Sequence, residues 1–330
     1  MRVKLVAALG TVYLVWGSTY LAMREADRAL PPFLMLSVRF LLAGGALYAW
    51  SKWRGDLAAD RPGRREWTAA AVAASLLLVA DTGGVAYAVQ RVPTGQAALL
   101  IASVPLFTAV LDRVFLGTRL PLGAIAGIAA GLLGVGLLIG PGGKVDLLGT
   151  VVLLGAAFAW ASGTVYARGA ALPRRPLVSA SLQMLCGGVM LAVLGSATGE
   201  LSRVRLGAIS PAGVGAIGYL VVFGSIAAFT AFGWLLRHAS IPVLSTYSYV
   251  NPAVAVVLGW LVLGEPIGGK EIAAGLVILA SVGMLLFVRE PAAPAEPTAE
   301  SLPPYIREQE AQVVDLPSAP RLADLRRIPA

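Results

Sequence analysis

The chain has 330 residues, of which 57% are hydrophobic and 13% are charged, and its formal net charge is +8. Soluble domains carry about 25% charged residues, so this composition excludes an ordinary soluble domain and indicates an integral membrane protein. The basic residues lie in short segments between apolar runs, where they set membrane orientation, which argues against nucleic-acid binding. Only one cysteine, Cys186, and one histidine, His238, are present. The chain therefore has no internal disulfide and no metal site built on these residue types.

Ten apolar runs follow one another along the chain. Each is near the length of about 20 residues that a membrane-spanning helix needs. The first run follows Arg2 and Lys4 without a small-residue cleavage site, so we expect a retained helix rather than a signal peptide. The expected spans are Leu5–Met23, Phe33–Trp50, Trp67–Val89, Thr94–Leu116, Pro121–Ile139, Leu147–Ala167, Leu177–Ala197, Val214–Leu236, Val243–Leu263 and Lys270–Val288.

The second half of the chain repeats the first. The segment Val104–Gly140 is repeated, with substitutions, 147 residues later, so that Pro105 aligns with Pro252. Near the start of each half, Trp16 aligns with Trp160 at an offset of 144 residues. Each copy holds five spans, an odd number, so the second copy must enter the membrane in the opposite sense. The predicted fold is an all-α integral membrane protein with ten transmembrane helices in an inverted 5+5 repeat.

This repeat defines three regions. Residues 1–143 form the first five-helix unit, residues 144–289 form the inverted second unit, and residues 290–330, rich in Pro, Ala and Glu, form a disordered cytoplasmic tail. With the N-terminus inside, the inner segments hold thirteen basic residues and the outer loops hold seven. Both termini are therefore expected in the cytoplasm.

Arg39 and Asp81 are charged residues that lie well inside predicted spans. A charge near a helix centre costs about 2.5–3.5 kcal/mol on insertion scales, so Arg39 and Asp81 should face protein or water and have a partner. One interpretation is a structural Arg39–Asp81 ion pair. The other is that Asp81 is a cavity carboxylate that takes a proton or a cationic substrate. Glu265 ends span nine and is interpreted as either a capping carboxylate or an outer gate.

Aromatic and polar residues mark a candidate cavity. Tyr13, Trp16 and Tyr20 share one face of span one, and span nine carries a polar stretch before Pro252, whose ring frees a backbone carbonyl. Hydroxyl-to-backbone bonding within the bundle is the alternative for that stretch. The cavity candidates are Tyr13, Trp16, Tyr20, Arg39, Asp81, Trp160, Ser245, Tyr249 and Asn251, and the gating or coupling candidates are Asp81, Pro105, Pro252 and Glu265.

Span five carries glycines at every fourth position. Gly123, Gly127 and Gly131 have the small-xxx-small spacing of close helix packing. The packing is either within the bundle or between two protomers, so a homodimer through the glycine-rich helices is one expectation. No catalytic constellation and no metal spacing are found.

The order of several short motifs resembles the EamA-type branch of the drug/metabolite transporter superfamily. The motifs are Trp16–Ser18, Arg39-Phe40, Gly95–Leu99, Pro105-Leu106 and Leu263–Pro266. The resemblance implies an inner-membrane carrier that works by alternating access, with spans one, three, four, six, eight and nine around the cavity. The chain departs from the family pattern at Thr118, which replaces a glutamate, and at Asp81, which stands where asparagine is common.

We therefore expect a secondary transporter that exports a small metabolite, such as an amino acid, across the inner membrane. It would need no cofactor, and proton coupling remains open. Multidrug efflux is the alternative within transport, and a membrane scaffold or sensor working through the tail is a third interpretation. An integral-membrane enzyme is disfavoured because the polar residues are scattered singly.

Overall fold

The computed structural model describes residues 2–116, 122–139, 146–205, 207, 209–239 and 247–287, and every regular element in these ranges is helical. Ser245 and the predicted tail, 290–330, lie outside the described residues. The long helices are α1 Arg2–Ala26, α2 Pro32–Trp53, α3 Arg64–Ala88, α4 Thr94–Ile101, α5 Val104–Leu116, α6 Leu122–Ile139, α7 Leu147–Gly169, α8 Pro176–Ala197, α9 (Pro211–Tyr219, Leu220–Ala227 and Ala228–His238), α10 Tyr247–Leu263 and α11 Gly269–Phe287.

The described helices are those of a membrane protein. Seven stretches within the described residues are long and apolar enough to cross a bilayer, and Ile125–Leu137 and Val250–Leu263 are shorter apolar helices. The prediction of an all-α membrane protein is confirmed for this part of the chain. The count of ten spans stays a prediction.

Local sequence signals explain where the helices begin. Pro32 and Pro176 each occupy the first position of a helix, where the missing N–H would have had no partner. Asp146 caps α7 by accepting from the backbone N–H of Gly149 at 2.6 Å, and Ser210 caps α9 in the same way through Gly213 at 3.0 Å.

The fourth predicted span is broken. The sequence predicted one helix from Thr94 to Leu116, but a turn at Ala102 and Ser103 separates α4 from α5. Pro105 lies in the first turn of α5, and the Ser103 hydroxyl donates to the carbonyl of Leu100 at 2.6 Å. The proline has no N–H to continue the ladder of α4, so the break lies just before it. Pro252 remains inside α10.

Two helices widen into π-helical turns that the sequence did not predict. The first π-helical segment is Ser75–Thr82 in α3, and the second is Leu220–Ala227 in α9. Each is eight residues long, and their first residues are 145 positions apart, close to the repeat offsets of 144 and 147. π-Helical turns occur frequently at functional sites.

The helices α2 and α8 meet through glycines in a reciprocal way. A Cβ on Gly44 would lie 3.0 Å from the backbone nitrogen of Leu185, and a Cβ on Gly188 would lie 3.1 Å from that of Leu41. The two contacts are equivalent under the repeat, because an offset of 144 residues relates Gly44 to Gly188 and Leu41 to Leu185. Higher numbers on one helix meet lower numbers on the other, so these two helices run antiparallel.

The helices α6 and α11 also meet through two contacts that are equivalent under the repeat. A Cβ on Gly131 would lie 2.9 Å from the Ser281 hydroxyl, and a Cβ on Gly134 would lie 2.7 Å from the side chain of Ile278. These contacts interchange under the 147-residue offset, again between antiparallel helices. Gly131 and Gly134 are therefore used for packing within the chain, whereas Gly136 has open space beside it.

Candidate functional site

A cavity lies among the helices of both halves. It leaves about 130 Å³ open to the centres of water-sized molecules. Its walls come from α1, α2, α3, α4, α7, α9 and α10, with Val104 at the start of α5. The contribution of α2 departs from what the family resemblance implied. Seven of the predicted residues line the cavity: Trp16, Tyr20, Arg39, Asp81, Trp160, Asn251 and Pro252.

Arg39 is turned towards α9. Its Nε donates to the hydroxyl of Ser225 at 2.9 Å, and its Nη2 donates to the carbonyl of Gly224 at 3.3 Å. Both acceptors belong to the second π-helical segment. Arg39 is only 3% exposed and also lines the cavity, so its charge is held inside the protein by neutral acceptors.

The ion pair expected between Arg39 and Asp81 is absent from the described structure, and this interpretation is wrong. Arg39 instead donates from Nε and Nη2 to α9, while Asp81 Oδ2 has only a weak contact with the hydroxyl of Thr82 at 3.4 Å. That hydroxyl has a single proton and lies closer, at 3.0 Å, to the carbonyl of Leu77. Asp81 is therefore a buried carboxyl that the described protein leaves poorly paired.

Three polar atoms of cavity-lining residues are buried without a hydrogen-bond partner among the described residues. They are Nη1 of Arg39, Oδ1 of Asp81 and Oδ1 of Asn251. Buried polar groups in folded proteins almost always have partners, so such atoms require an explanation. The residues that line the cavity thus carry one cationic donor and two acceptors whose hydrogen bonds are unmade in the described structure.

The apolar wall of the cavity centres on Trp16. Its ring meets those of Trp160, Phe229, Phe232 and Tyr247, with centroids 6.4, 5.6, 5.1 and 5.7 Å away. Three of these contacts are edge-to-face, the geometry that aromatic quadrupoles favour. Trp16 and Trp160, paired by the repeat, are therefore brought together at one wall.

Of the remaining candidates, Tyr13 and Pro105 lie outside the cavity wall. Tyr13 is half-buried one turn before Trp16 and does not line the cavity. Tyr249 is in the first turn of α10, and Ser245 falls outside the described residues. Pro105 is likewise absent from the cavity wall, although its neighbour Val104 belongs to it.

Glu265 caps a helix of the other half of the chain. Its carboxylate accepts from the backbone N–H of Thr94 at 2.9 Å, from the Thr94 hydroxyl at 2.9 Å and from the N–H of Gly95 at 3.3 Å. Arg24 of α1 completes the group with an ion pair at 3.2 Å. This geometry matches the capping interpretation of Glu265; a gating role stays a prediction.

Sequence reasoning missed Thr19 of the cavity wall and the two residues that bind Arg39, Ser225 and Gly224. Thr19 lies three positions after Trp16, so helical spacing alone could have identified it. Ser225 and Gly224 carried no such signal, because nothing in the apolar run around them indicates a π-helical turn facing Arg39. Within the described ranges, no group of three His, Cys, Asp or Glu side chains is placed to hold a metal ion.

A bundle of apolar helices around a largely apolar cavity with a few buried polar groups is an arrangement found in membrane transporters. The chain belongs to the EamA-like transporter family, whose sequence profile matches it twice, over residues 4–140 and 147–287. It is therefore a transporter and not an enzyme, and the prediction of an EamA-type member of the drug/metabolite transporter superfamily is confirmed.

Similar proteins agree with this assignment. The chain is 37% identical over 296 residues to the "Uncharacterized inner membrane transporter YedA" of Escherichia coli (strain K12), covering 87% of this chain and 94% of that protein. It is 25% identical to a WAT1-related chloroplastic protein of Arabidopsis thaliana, covering 83% of this chain and 67% of the relative. A solved crystal structure shares the fold, with a TM-score of 0.59, 20% identity and coverage of 86% of this chain and 96% of that one.

Proposed function

We propose that the protein is a secondary transporter that exports a small metabolite carrying both a positive and a negative group, such as an amino acid. The observation that carries this proposal is the set of three unpaired atoms at one cavity. Arg39 Nη1 matches an anionic group, whereas Asp81 Oδ1 and Asn251 Oδ1 match an ammonium group. Such a ligand would pair all three, which removes the cost of burying them alone.

The proposed architecture is ten membrane spans in two inverted units of five, with both termini in the cytoplasm. Two pairs of antiparallel helices support this arrangement. Gly44 of α2 packs against α8, and Gly131 of α6 packs against α11, and in each pair the contacts are equivalent under the repeat. Units related in this way support alternating access to a site between them. The printed name of the Escherichia coli relative supports an inner-membrane location.

Proton coupling through Asp81 is part of the proposal. A carboxyl at the cavity with almost no donors around it is suited to exchange a proton when the cavity changes access. No cofactor is needed for this cycle. A homodimer through the glycine-rich helices would have to use positions such as Gly136, because Gly131 and Gly134 pack inside the chain.

Flux in proteoliposomes tests the proposal. Purified protein is reconstituted with an imposed pH gradient, and a panel of amino acids and related metabolites is followed in both directions. We expect gradient-sensitive flux of at least one zwitterionic compound. Flux of no compound in the panel, from protein that is monodisperse before reconstitution, would contradict the proposal.

Multidrug efflux is the second candidate, and the aromatic wall around Trp16 favours it. Apolar and aromatic surfaces bind amphipathic drugs with little demand for polar matching. Cells lacking the chain would then become more susceptible to a panel of such drugs. Unchanged susceptibility together with metabolite flux would favour the first proposal.

A further inference from the structure

We propose that the second π-helical segment, through Ser225 and Gly224, positions Arg39 as the anion-binding group of the cavity. This inference deepens the proposed function and rests on it. It assigns a role to two residues that do not themselves present an unpaired atom to the cavity. Their part is to hold the guanidinium so that its remaining edge faces the ligand.

The hydrogen bonds leave one defined part of the guanidinium free. Nε and Nη2 share one edge of this planar group, and that edge is occupied by the Ser225 hydroxyl at 2.9 Å and the Gly224 carbonyl at 3.3 Å. Nη1 is buried and unpartnered among the described residues. The Phe40 ring lies 5.0 Å below the guanidinium carbon and further limits its orientation.

The absence of a side chain at Gly224 makes room for this arrangement. A Cβ at that position would lie 3.2 Å from Arg39 Nη2 and 3.4 Å from the Thr19 methyl group. Ser225, the next residue, is fully buried, so its hydroxyl has no access to water and is committed to the protein interior. The π-helical turn thus brings a backbone carbonyl and a hydroxyl to the same edge of Arg39.

The charge of Arg39 gives the chemical class of the ligand group. No carboxylate lies within ion-pair distance of Arg39 in the described part of the chain, since its partners are Ser225 and Gly224. A buried charge compensated only by neutral dipoles gains strongly from an opposite charge. An end-on guanidinium edge fits a carboxylate or a similar planar anion. The ligand therefore carries such a group.

The test compares Ser225→Ala with Ser281→Ala. Both serines are fully buried, but the Ser281 hydroxyl donates to the carbonyl of Ile278 within α11 and is not bonded to Arg39. Binding of leucine, N-acetylleucine and leucinamide is measured on purified protein by tryptophan fluorescence. The second compound keeps only the carboxylate, and the third keeps only the ammonium group.

We expect wild-type protein to bind leucine and N-acetylleucine more tightly than leucinamide. Ser225→Ala should weaken binding of the two carboxylates by about five- to tenfold, the net effect of one ordinary hydrogen bond, and leave binding of leucinamide unchanged. Ser281→Ala should change none of the three. Gly224→Ala, a second variant that displaces the guanidinium, should reproduce the selective loss. An equal effect on all three compounds, or none, would overturn the inference.

The outcome separates this inference from the proposed function. Carboxylate-selective binding that depends on Ser225, combined with no flux in proteoliposomes, would leave the inference standing and reject the transport cycle. Flux in proteoliposomes without any preference for carboxylates would support the transport cycle and reject this inference. Failure of wild-type protein to bind any of the three compounds would reject the carboxylate assignment.

Discussion

The carboxylate of Glu265 accepts a hydrogen bond from the backbone N–H of Thr94 at 2.9 Å. A residue that follows α10 therefore caps α4, a helix of the first half of the chain. The same carboxylate pairs with Arg24 at the end of α1. One side chain thus ties three segments together at one end of the bundle.

Replacing Glu265 with alanine should lower stability. The change leaves the N–H groups of Thr94 and Gly95 and the charge of Arg24 without their acceptor, which we expect to cost about 1–3 kcal/mol. The measurement is the thermal midpoint of the protein in detergent. Glu25→Ala is the control, because its ion pair with Arg28 is far more exposed and should contribute little. A midpoint for Glu265→Ala equal to that of the control would refute the capping role.

Asp27 should make stability depend on pH. Burial raises the pKa of this carboxyl to about 8; the amide of Gln90 opposes the shift, and the nearby carboxylate of Glu200 adds to it. Between pH 3.8 and about 8 the folded protein holds a proton that the unfolded chain has released. Folding then takes up a proton, so stability falls as the pH rises through this window.

Asp27→Asn removes that proton exchange. Thermal midpoints measured from pH 5 to pH 8 should fall less steeply for the variant, and the variant should be the more stable protein at pH 8. Glu25→Gln, two residues earlier and more accessible, should keep the wild-type pH profile. Parallel profiles for wild type and Asp27→Asn would show that the carboxyl is ionised throughout.

Gly17 allows α1 and α10 to approach closely. A Cβ there would lie 2.6 Å from Val254 Cβ and 3.1 Å from the carbonyl of Asn251, a cavity residue. Gly17→Ala should therefore destabilise the protein by about 1–3 kcal/mol and weaken ligand binding. Gly10→Ala in the same helix meets open space and should have little effect.

Val254→Ala provides the decisive check on this contact. It removes Cγ1 of Val254, which would lie 2.7 Å from the added methyl group, and keeps Cβ, so the double variant should recover part of the stability that Gly17→Ala loses, which a double-mutant cycle measures. Additive effects of the two substitutions would argue that the helices are not in this contact.

Asp81→Asn tests whether the carboxyl of Asp81 couples transport to protons or has only a structural role. If the carboxyl exchanges a proton during transport, the variant should fold in normal yield but lose the pH-gradient dependence of flux. The control is Asn251→Asp, which adds a carboxyl at the same cavity and should not restore the gradient dependence to Asp81→Asn. Unchanged, gradient-sensitive flux by Asp81→Asn would remove this residue from the coupling mechanism.

The sequence determined the apolar helices, the proline-led helix starts and the two-fold repetition, because length, hydrophobicity and backbone chemistry act over short stretches of chain. It also marked Arg39 and Asp81, since a charge within an apolar run is conspicuous. Their partners were decided by the tertiary structure alone. Arg39 pairs with Ser225 and not with Asp81, since hydrogen bonds form between groups that packing brings together, whatever their order in the chain. The tertiary structure also decided the π-helical segments and the capping of α4 by Glu265, because each depends on neighbours that only the assembled bundle supplies.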